Sequence, residues 1–170
     1  MKKYLPFLLL GIATIIRLDM VVPLLAMFGY YMLTDPDVRW LKYLAITIAI
    51  FIIPQFVFRY LYFGQLLPNS YYFKMTGYPL LFRMSRGLVV MLKMFWYMNP
   101  LLFIIVLLKR KSHYEFLLLL LFLCQVFYSI YVGGDVWESF GGANRYILIA
   151  MPCFFILFSG SLYEIIRRLR

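Results

Sequence analysis

The stretch at 116–123 reads Phe-Leu-Leu-Leu-Leu-Leu-Phe-Leu, and an earlier stretch at 101–108 reads Leu-Leu-Phe-Ile-Ile-Val-Leu-Leu. These unbroken apolar runs decide the fold class, because strands of a membrane barrel alternate apolar and polar residues and membrane-spanning helices do not. Only helices and closed barrels satisfy their backbone polar groups inside a bilayer. The chain is 65% hydrophobic with a mean hydropathy of +0.86, whereas soluble domains are about half apolar. The sequence therefore predicts an all-α, polytopic transmembrane helical bundle and excludes a soluble globular domain.

Four segments have the length of about 20 residues that a helix needs to cross a bilayer. We predict full spans at residues 43–62, 87–108, 114–132 and 146–163, with a kink at Asn99 and Pro100. The N-terminal part differs, because its apolar segments at 4–16 and 20–33 are individually short. They form either one long helix with a buried ion pair or a hairpin of two short helices. The whole chain, 1–170, is expected to be a single transmembrane domain.

The distribution of basic residues chooses between these two alternatives. The formal net charge is +10, and in a membrane protein such residues meet anionic lipid head groups at helix ends, so no nucleic-acid partner is expected. Cytoplasmic loops carry an excess of Lys and Arg. The hairpin alternative places both termini in the cytoplasm, together with every dense basic cluster. The residues of these clusters are Lys2, Lys3, Arg39, Lys42, Lys109, Arg110, Lys111, Arg167, Arg168 and Arg170. We therefore predict the hairpin and a multi-pass protein of the cytoplasmic membrane.

The candidate binding residues then fall on the opposite, outer face. Arg17 and Asp19 lie at membrane depth, where ionisable residues are expensive and are functional candidates by default, although a mutual ion pair at the hairpin tip is the alternative. In the loop 63–86, Asn69, Ser70 and Lys74 can hydrogen-bond a phosphate or a sugar. The alternative there is interfacial anchoring by the neighbouring tyrosines.

A second outer loop, 133–145, is rich in glycine, which lets a backbone approach a ligand closely. Asp135 and Glu138 can accept sugar hydroxyls, bind a divalent cation or act as a base. Arg145 can pair with a phosphate through its planar fork. An ordinary polar turn with an Asp–Arg ion pair is the alternative. No metal-ligand spacing surrounds Cys124, Cys153 or His113, so no metal site is predicted.

Three stretches resemble the GT-C membrane glycosyltransferases that use polyprenyl-phosphate sugars, in the branch of the mycobacterial terminal arabinofuranosyltransferase. The first is the Arg17-Leu18-Asp19 corner after a short apolar helix. The second is Tyr60-Leu61-Tyr62-Phe63-Gly64-Gln65-Leu66-Leu67-Pro68-Asn69-Ser70-Tyr71-Tyr72, similar to that branch's Tyr-x-Gly-x-x-Leu-Pro-Asn-Thr-x-Tyr. The third is Gly133-Gly134-Asp135 with the following Arg145, similar to its Gly-Gly-Asp loop. The stretches occur in the family's order.

The resemblance implies transfer of a sugar from a polyprenyl-phosphate donor to a cell-envelope or cell-wall acceptor on the outer face. It also implies a departure, because family members are much longer and carry their catalytic acid in a large outer loop near the N-terminus. We therefore assign no catalytic base and expect the chain alone to be inactive, either as a fragment or with a partner chain that supplies the catalytic spans. The alternatives are a non-catalytic membrane subunit, scaffold or lipid-binding protein, and a small transporter component.

Overall fold

The computed structural model describes residues 4–108, 112–134 and 144–169, and every regular element within these ranges is helical. A 3₁₀ turn (Leu18–Met20) precedes the helix Val21–Thr34, and a π-helical turn (Ile48–Ile52) joins the helices Val38–Thr47 and Ile53–Phe63 into one continuous helix, Val38–Phe63. The helices are α1 (Leu5–Ile16), α2 (Val21–Thr34), α3 (Val38–Thr47), α4 (Ile53–Phe63), α5 (Asn69–Met75), α6 (Leu80–Tyr97), α7 (Pro100–Leu108), α8 (His113–Val132), α9 (Arg145–Leu148) and α10 (Met151–Leu169).

Within the described ranges, two helices are long and apolar enough to cross a membrane, Val38–Phe63 and His113–Val132. They contain the predicted spans 43–62 and 114–132. The helices α6 and α7 make a third only if they are taken together as one bent span. The contacts divide the chain into two compact units, Met1–Gly77 (unit 1) and Tyr78–Arg170 (unit 2), which are described separately. The expectation of a single domain over 1–170 stays a prediction.

In unit 1, α1 and α2 form an antiparallel hairpin, and the α3–α4 helix runs parallel to α1. Near one end, the Phe7 ring lies 6.4 Å from the Tyr31 ring of α2 and 6.1 Å from the Trp40 ring of α3. Towards the other end, the Gln55 amide donates to the carbonyl oxygen of Ile15 at 3.4 Å. The structure thus contains the predicted pair of short helices, and the alternative of one long N-terminal helix is wrong.

In unit 2, α6 runs antiparallel to α8 at a very close crossing. A Cβ atom added at Gly87 would lie 2.7 Å from the Cα atom of Ile130, so only glycine permits this approach. Close packing is the main force that holds helices together in lipid, where the hydrophobic effect between them is absent. The α10 helix completes the unit, with the rings of Phe122 and Phe154 5.5 Å apart. The buried core residues are Val106, Phe122, Val126, Ile130, Ile147, Ala150, Met151, Phe154 and Leu157.

The predicted kink at Asn99 and Pro100 is a break between α6 and α7, whose axes differ by 89°. Asn99 adopts a left-handed backbone conformation, with φ 69°, and its side-chain oxygen accepts from the Leu101 N–H at 3.0 Å. Asn99 therefore ends α6 and caps α7. The Phe103 ring of α7 packs 4.6 Å from the Phe154 ring of α10. The segment 87–108 is consequently not a straight spanning helix.

The predicted span 146–163 is also interrupted, because a turn at 149–150 separates α9 from α10. Pro152 occupies the second position of α10, where proline is tolerated because the first N–H groups of a helix have no partner within it. The last turn of α10 carries Arg167 and Arg168, and Glu164 lies one turn before Arg168. The number of four full spans is therefore not confirmed, and two or three candidate spans are supported.

Candidate functional site

The hairpin tip of unit 1 brings Arg17 and Asp19 together. The α1 helix ends at Ile16, and Arg17 is extended, with φ −141° and ψ 118°, so the chain reverses before the 3₁₀ turn. The Arg17 guanidinium donates to both carboxylate oxygens of Asp19, from Nε at 3.0 Å and from Nη2 at 2.7 Å. The Asp19 side chain is only 8% exposed, whereas that of Arg17 is 37% exposed. This is the mutual ion pair that the sequence left open as an alternative.

A second pair of polar side chains lies on the α3–α4 helix near this tip. Gln55 and Arg59 are one helical turn apart and therefore share a face. Gln55 bonds the carbonyl oxygen of Ile15, two residues before Arg17. Arg59 follows Gln55 by about 6 Å along the axis, which brings it to the level of the tip because α1 and the α3–α4 helix run parallel. Gln55, Arg59 and the Arg17–Asp19 pair together are termed the tip cluster.

The tip cluster contains polar atoms that are buried and unsatisfied. Within the part of the chain that the structure describes, neither Gln55 Oε1 nor Arg59 Nε has a hydrogen-bond partner. Buried polar groups in proteins are nearly always bonded, so such atoms indicate a missing partner. One atom is a donor on a cation and the other is an acceptor. The cluster is therefore suited to an oxyanion that also carries a hydroxyl group.

The candidates in the loop 63–86 lie at the start and end of a short helix. Gly64 adopts a left-handed conformation, with φ 67°, and ends α4. After Pro68, Asn69 and Ser70 begin α5, and both are exposed. Lys74 lies in the last turn of α5 and is half-buried. Because Ser70 and Lys74 are four residues apart, they share a helix face, as a site for one ligand would require.

At one end of unit 2, two residues that the sequence did not single out hold the chain in place. Asn144 is buried, its side-chain oxygen accepts from the N–H groups of Tyr146 and Ile147 at 3.0 and 3.2 Å, and its amide donates to Ser129 Oγ at 2.8 Å. Asn144 thus caps α9 and ties it to α8. An asparagine directly before a helix is a known capping signal and could have identified this residue.

Arg83 is the second such residue. Its Nε donates to the carbonyl oxygen of Tyr131 at 2.9 Å, and the guanidinium lies 5.0 Å from the centre of the Tyr131 ring. It therefore satisfies a carbonyl in the last turn of α8, where a cation also complements the helix dipole. The sequence predicted that basic residues in general meet lipid head groups at helix ends, and the structure gives Arg83 this different role. No local sequence signal links residues 48 positions apart.

Of the remaining predicted residues, one lies within the described ranges and two lie outside them. Arg145 is the first residue of α9, at the same end of unit 2 as Arg83, and its side chain is exposed. Asp135 and Glu138 lie outside the described residues, and so does the divalent-cation alternative that rests on them. Among the described residues, no group of three or more His, Cys, Asp or Glu side chains is arranged to hold a metal ion.

Comparisons of the chain with protein-family models, with curated proteins and with solved structures find no match. A functional proposal therefore rests on the residues and their geometry.

Proposed function

We propose that the chain is part of a membrane glycosyltransferase that takes its sugar from a polyprenyl-phosphate donor on the outer face of the cytoplasmic membrane. The observation that carries this proposal is the unsatisfied Nε of Arg59 in the tip cluster. A buried guanidinium atom without a partner favours an anionic ligand, and a lipid phosphate presents its oxygens at the boundary of the bilayer. The resemblance of the Arg17 corner and the two loops to GT-C enzymes supports the further inference that this lipid phosphate carries a sugar.

The depth of the tip cluster supports a lipid phosphate. The continuous helix Val38–Phe63 has 26 residues and is about 39 Å long, whereas the hydrocarbon core is about 30 Å thick. Its ends therefore project into the head-group regions. Arg59 is one turn from the end at Phe63, which corresponds to the inner edge of the head groups. An acyl chain in the bilayer would bring its phosphate to this level.

The proposed topology has four membrane crossings: the α3–α4 helix, α6 with α7, α8, and α9 with α10. The N-terminal hairpin enters and leaves on one side, and both termini lie in the cytoplasm. The parallel course of α1 and the α3–α4 helix supports this, because it places Tyr4 beside Tyr43, with ring centroids 6.3 Å apart, at the end that carries Arg39 and Lys42. The distribution of basic residues in the sequence also predicts that the end with Arg39 and Lys42 lies in the cytoplasm, together with the N-terminus.

The first experiment measures lipid binding rather than turnover, since the catalytic spans are expected in another segment. The full chain in nanodiscs is titrated with undecaprenyl phosphate and with undecaprenol, and bound lipid is counted by native mass spectrometry. We expect preferential binding of the phosphate and a roughly tenfold weaker affinity in Arg59→Met, the loss of about one charge-assisted hydrogen bond. Lys42→Met, at the opposite end of the same helix, is the matched control. Equal binding of the alcohol and the phosphate contradicts the proposal.

The second experiment addresses the loop residues in the intact enzyme. Asp135→Asn and Arg145→Met are introduced at the native locus, and transfer of sugar to the cell-envelope acceptor is followed with a radiolabelled donor. Loss of transfer supports a role in donor or acceptor binding. Unchanged transfer in both variants removes the glycosyltransferase interpretation of the loop 133–145.

A non-catalytic membrane subunit is the alternative, and the satisfied Arg17–Asp19 pair favours it. Both carboxylate oxygens of Asp19 accept hydrogen bonds from one guanidinium, an arrangement that is sufficient to hold the hairpin without any substrate. A stable complex with an intact glycosyltransferase whose activity survives Arg59→Met and Arg145→Met would establish this alternative. The same variants thus separate the two functions.

A further inference from the structure

A lysine one turn before the end of α6 has an exposed position that neither lipid nor the rest of unit 2 accommodates. Lys93 is exposed, and α6 residues on the other side of the helix, such as Met91 and Phe95, pack against the core. Three apolar residues share the exposed side with it, Val89 at 50%, Leu92 at 55% and Trp96 at 75% exposure. Their spacing of three and four residues makes one continuous helix face, which is termed the Lys93 face.

The crossing of α6 and α8 fixes the depth of this lysine. Gly87 lies against Ile130, and Arg83 bonds the carbonyl of Tyr131, so residue numbers rise along α6 as they fall along α8. Six residues beyond Gly87, Lys93 is consequently level with Cys124. The α8 helix has 20 residues and is about 30 Å long, the thickness of the hydrocarbon core. Lys93 is thus about 12 Å from the Val132 end and about 16 Å from the His113 end of a helix that is long enough to span the bilayer.

A charge at this depth requires a partner. Lysines reach head groups by extending along the helix, and a side chain on a helix leans toward the N-terminus, which here is the Val132 end of α8. The distance of about 12 Å to that end exceeds the length of one lysine. Ionisable residues at mid-membrane almost always pair with one another or line a water-filled cavity. The carboxylates that the structure describes in unit 2 do not lie at this depth, because Glu115 is in the first turn of α8 and Glu164 is near the end of α10.

We propose that the Lys93 face is an interface for a further membrane-spanning segment that carries a carboxylate near the middle of the bilayer. A second copy of unit 2 does not fit, because it would place another lysine there and offers no described carboxylate at the required depth. The apolar neighbours Val89, Leu92 and Trp96 supply the packing surface, and the ammonium group supplies the specificity. This interface is independent of the proposed transfer of sugar.

The experiment uses a synthetic helix as the probe. The full chain, with Trp96 as its sole tryptophan after Trp40→Phe and Trp137→Phe, is placed in phosphatidylcholine vesicles. A dansyl-labelled Leu/Ala helix with one central Asp is added, and energy transfer from Trp96 is measured against the peptide-to-lipid ratio. Matched peptides carry Leu at the centre, or Asp one residue from an end. We expect the central-Asp peptide to bind about tenfold more tightly than either.

Three variants decide the outcome. Lys93→Met abolishes the preference for the central Asp, whereas Arg86→Met, which removes a charge two turns away on α6, retains it. Lys93→Glu transfers the preference to a peptide with a central Lys, which shows that the variant is folded. Equal binding of the Asp and Leu peptides, or a preference that survives Lys93→Met, overturns the proposal and leaves Lys93 in contact with lipid head groups. Neither result depends on undecaprenyl phosphate binding, so the two proposals fail separately.

Discussion

The contact between α6 and α8 predicts the effect of adding a single methyl group. In Gly87→Ala, the new Cβ would meet the backbone of Ile130, including its Cα atom at 2.7 Å and its carbonyl carbon at 2.9 Å. Backbone atoms cannot rotate away as a side chain can, so the two helices must separate. Overpacking costs about 1–3 kcal/mol, and contact with backbone places this case near the upper limit.

The change in the free energy of unfolding also includes a contribution of the opposite sign. Alanine is favoured over glycine inside a helix by about 0.5–1 kcal/mol. The net loss for Gly87→Ala is therefore about 2 kcal/mol, which lowers the melting temperature of a chain of this size by about 4–8 °C. Gly29→Ala is the matched control, because nothing lies within 4 Å of a Cβ added at Gly29 in α2. This control should gain up to about 1 kcal/mol from the helix propensity alone.

The assay is thermal unfolding of both variants in the same detergent micelles, followed by circular dichroism at the helix band. Size-exclusion chromatography of the heated samples shows whether the folded fraction falls in parallel. If Gly87→Ala melts at or above the temperature of the wild type, the close crossing of α6 and α8 is not present in the folded protein. If both glycine variants are equally destabilised, the effect belongs to glycine in helices generally and not to this contact.

The other contacts in unit 2 lead to three further predictions. Arg83→Met removes the hydrogen bond to the end of α8 and should lower the free energy of unfolding by about 1.5–3 kcal/mol in the same melting assay, whereas Arg86→Met should be neutral. Asn144→Ala removes the cap of α9 and leaves Ser129 Oγ without its donor, so a loss of about 1–2 kcal/mol is expected, whereas Asn144→Asp should retain the cap, with the Ser129 hydroxyl donating to the new carboxylate. Asn99→Val should be less stable than Asn99→Gly by about 1–3 kcal/mol, because a β-branched residue resists the left-handed conformation at the break, and equal stability of the two would show that α6 and α7 form a continuous helix.

The N-terminal hairpin was predictable because the lengths of the two apolar segments and the positions of the basic residues both indicate it. Two apolar segments too short to span alone, separated by Arg17 and Asp19, permitted two arrangements, and only the hairpin placed Lys2 and Lys3 with the other basic clusters. The structure contains that hairpin, and the pairing of Arg17 with Asp19 was among the alternatives considered. Local signals were sufficient because the two partners are two residues apart.

The break after α6 was predictable in position but not in angle. Asn99 and Pro100 marked the place, since proline restricts the residue before it and ends the preceding helix. The 89° between the axes depends in addition on the packing of Phe103 against Phe154, more than 50 residues away. For the same reason the role of Arg83 was missed, because its partner at Tyr131 is adjacent only after α6 has packed on α8.

Arg17, Arg83 and Arg59 differ in their hydrogen-bond partners. Arg17 bonds Asp19, and Arg83 bonds the carbonyl of Tyr131, so each has a contact that stabilises the fold. Arg59 differs, because its buried Nε has no hydrogen-bond partner in the described part of the chain. In the proposed topology Arg59 lies on the outer face, where positive charge opposes the usual distribution, and a fold that needed only stability could replace Arg59 with an apolar residue. A ligand phosphate gives this arginine a reason to be retained, and for that reason Arg59 is the most informative residue for testing donor binding.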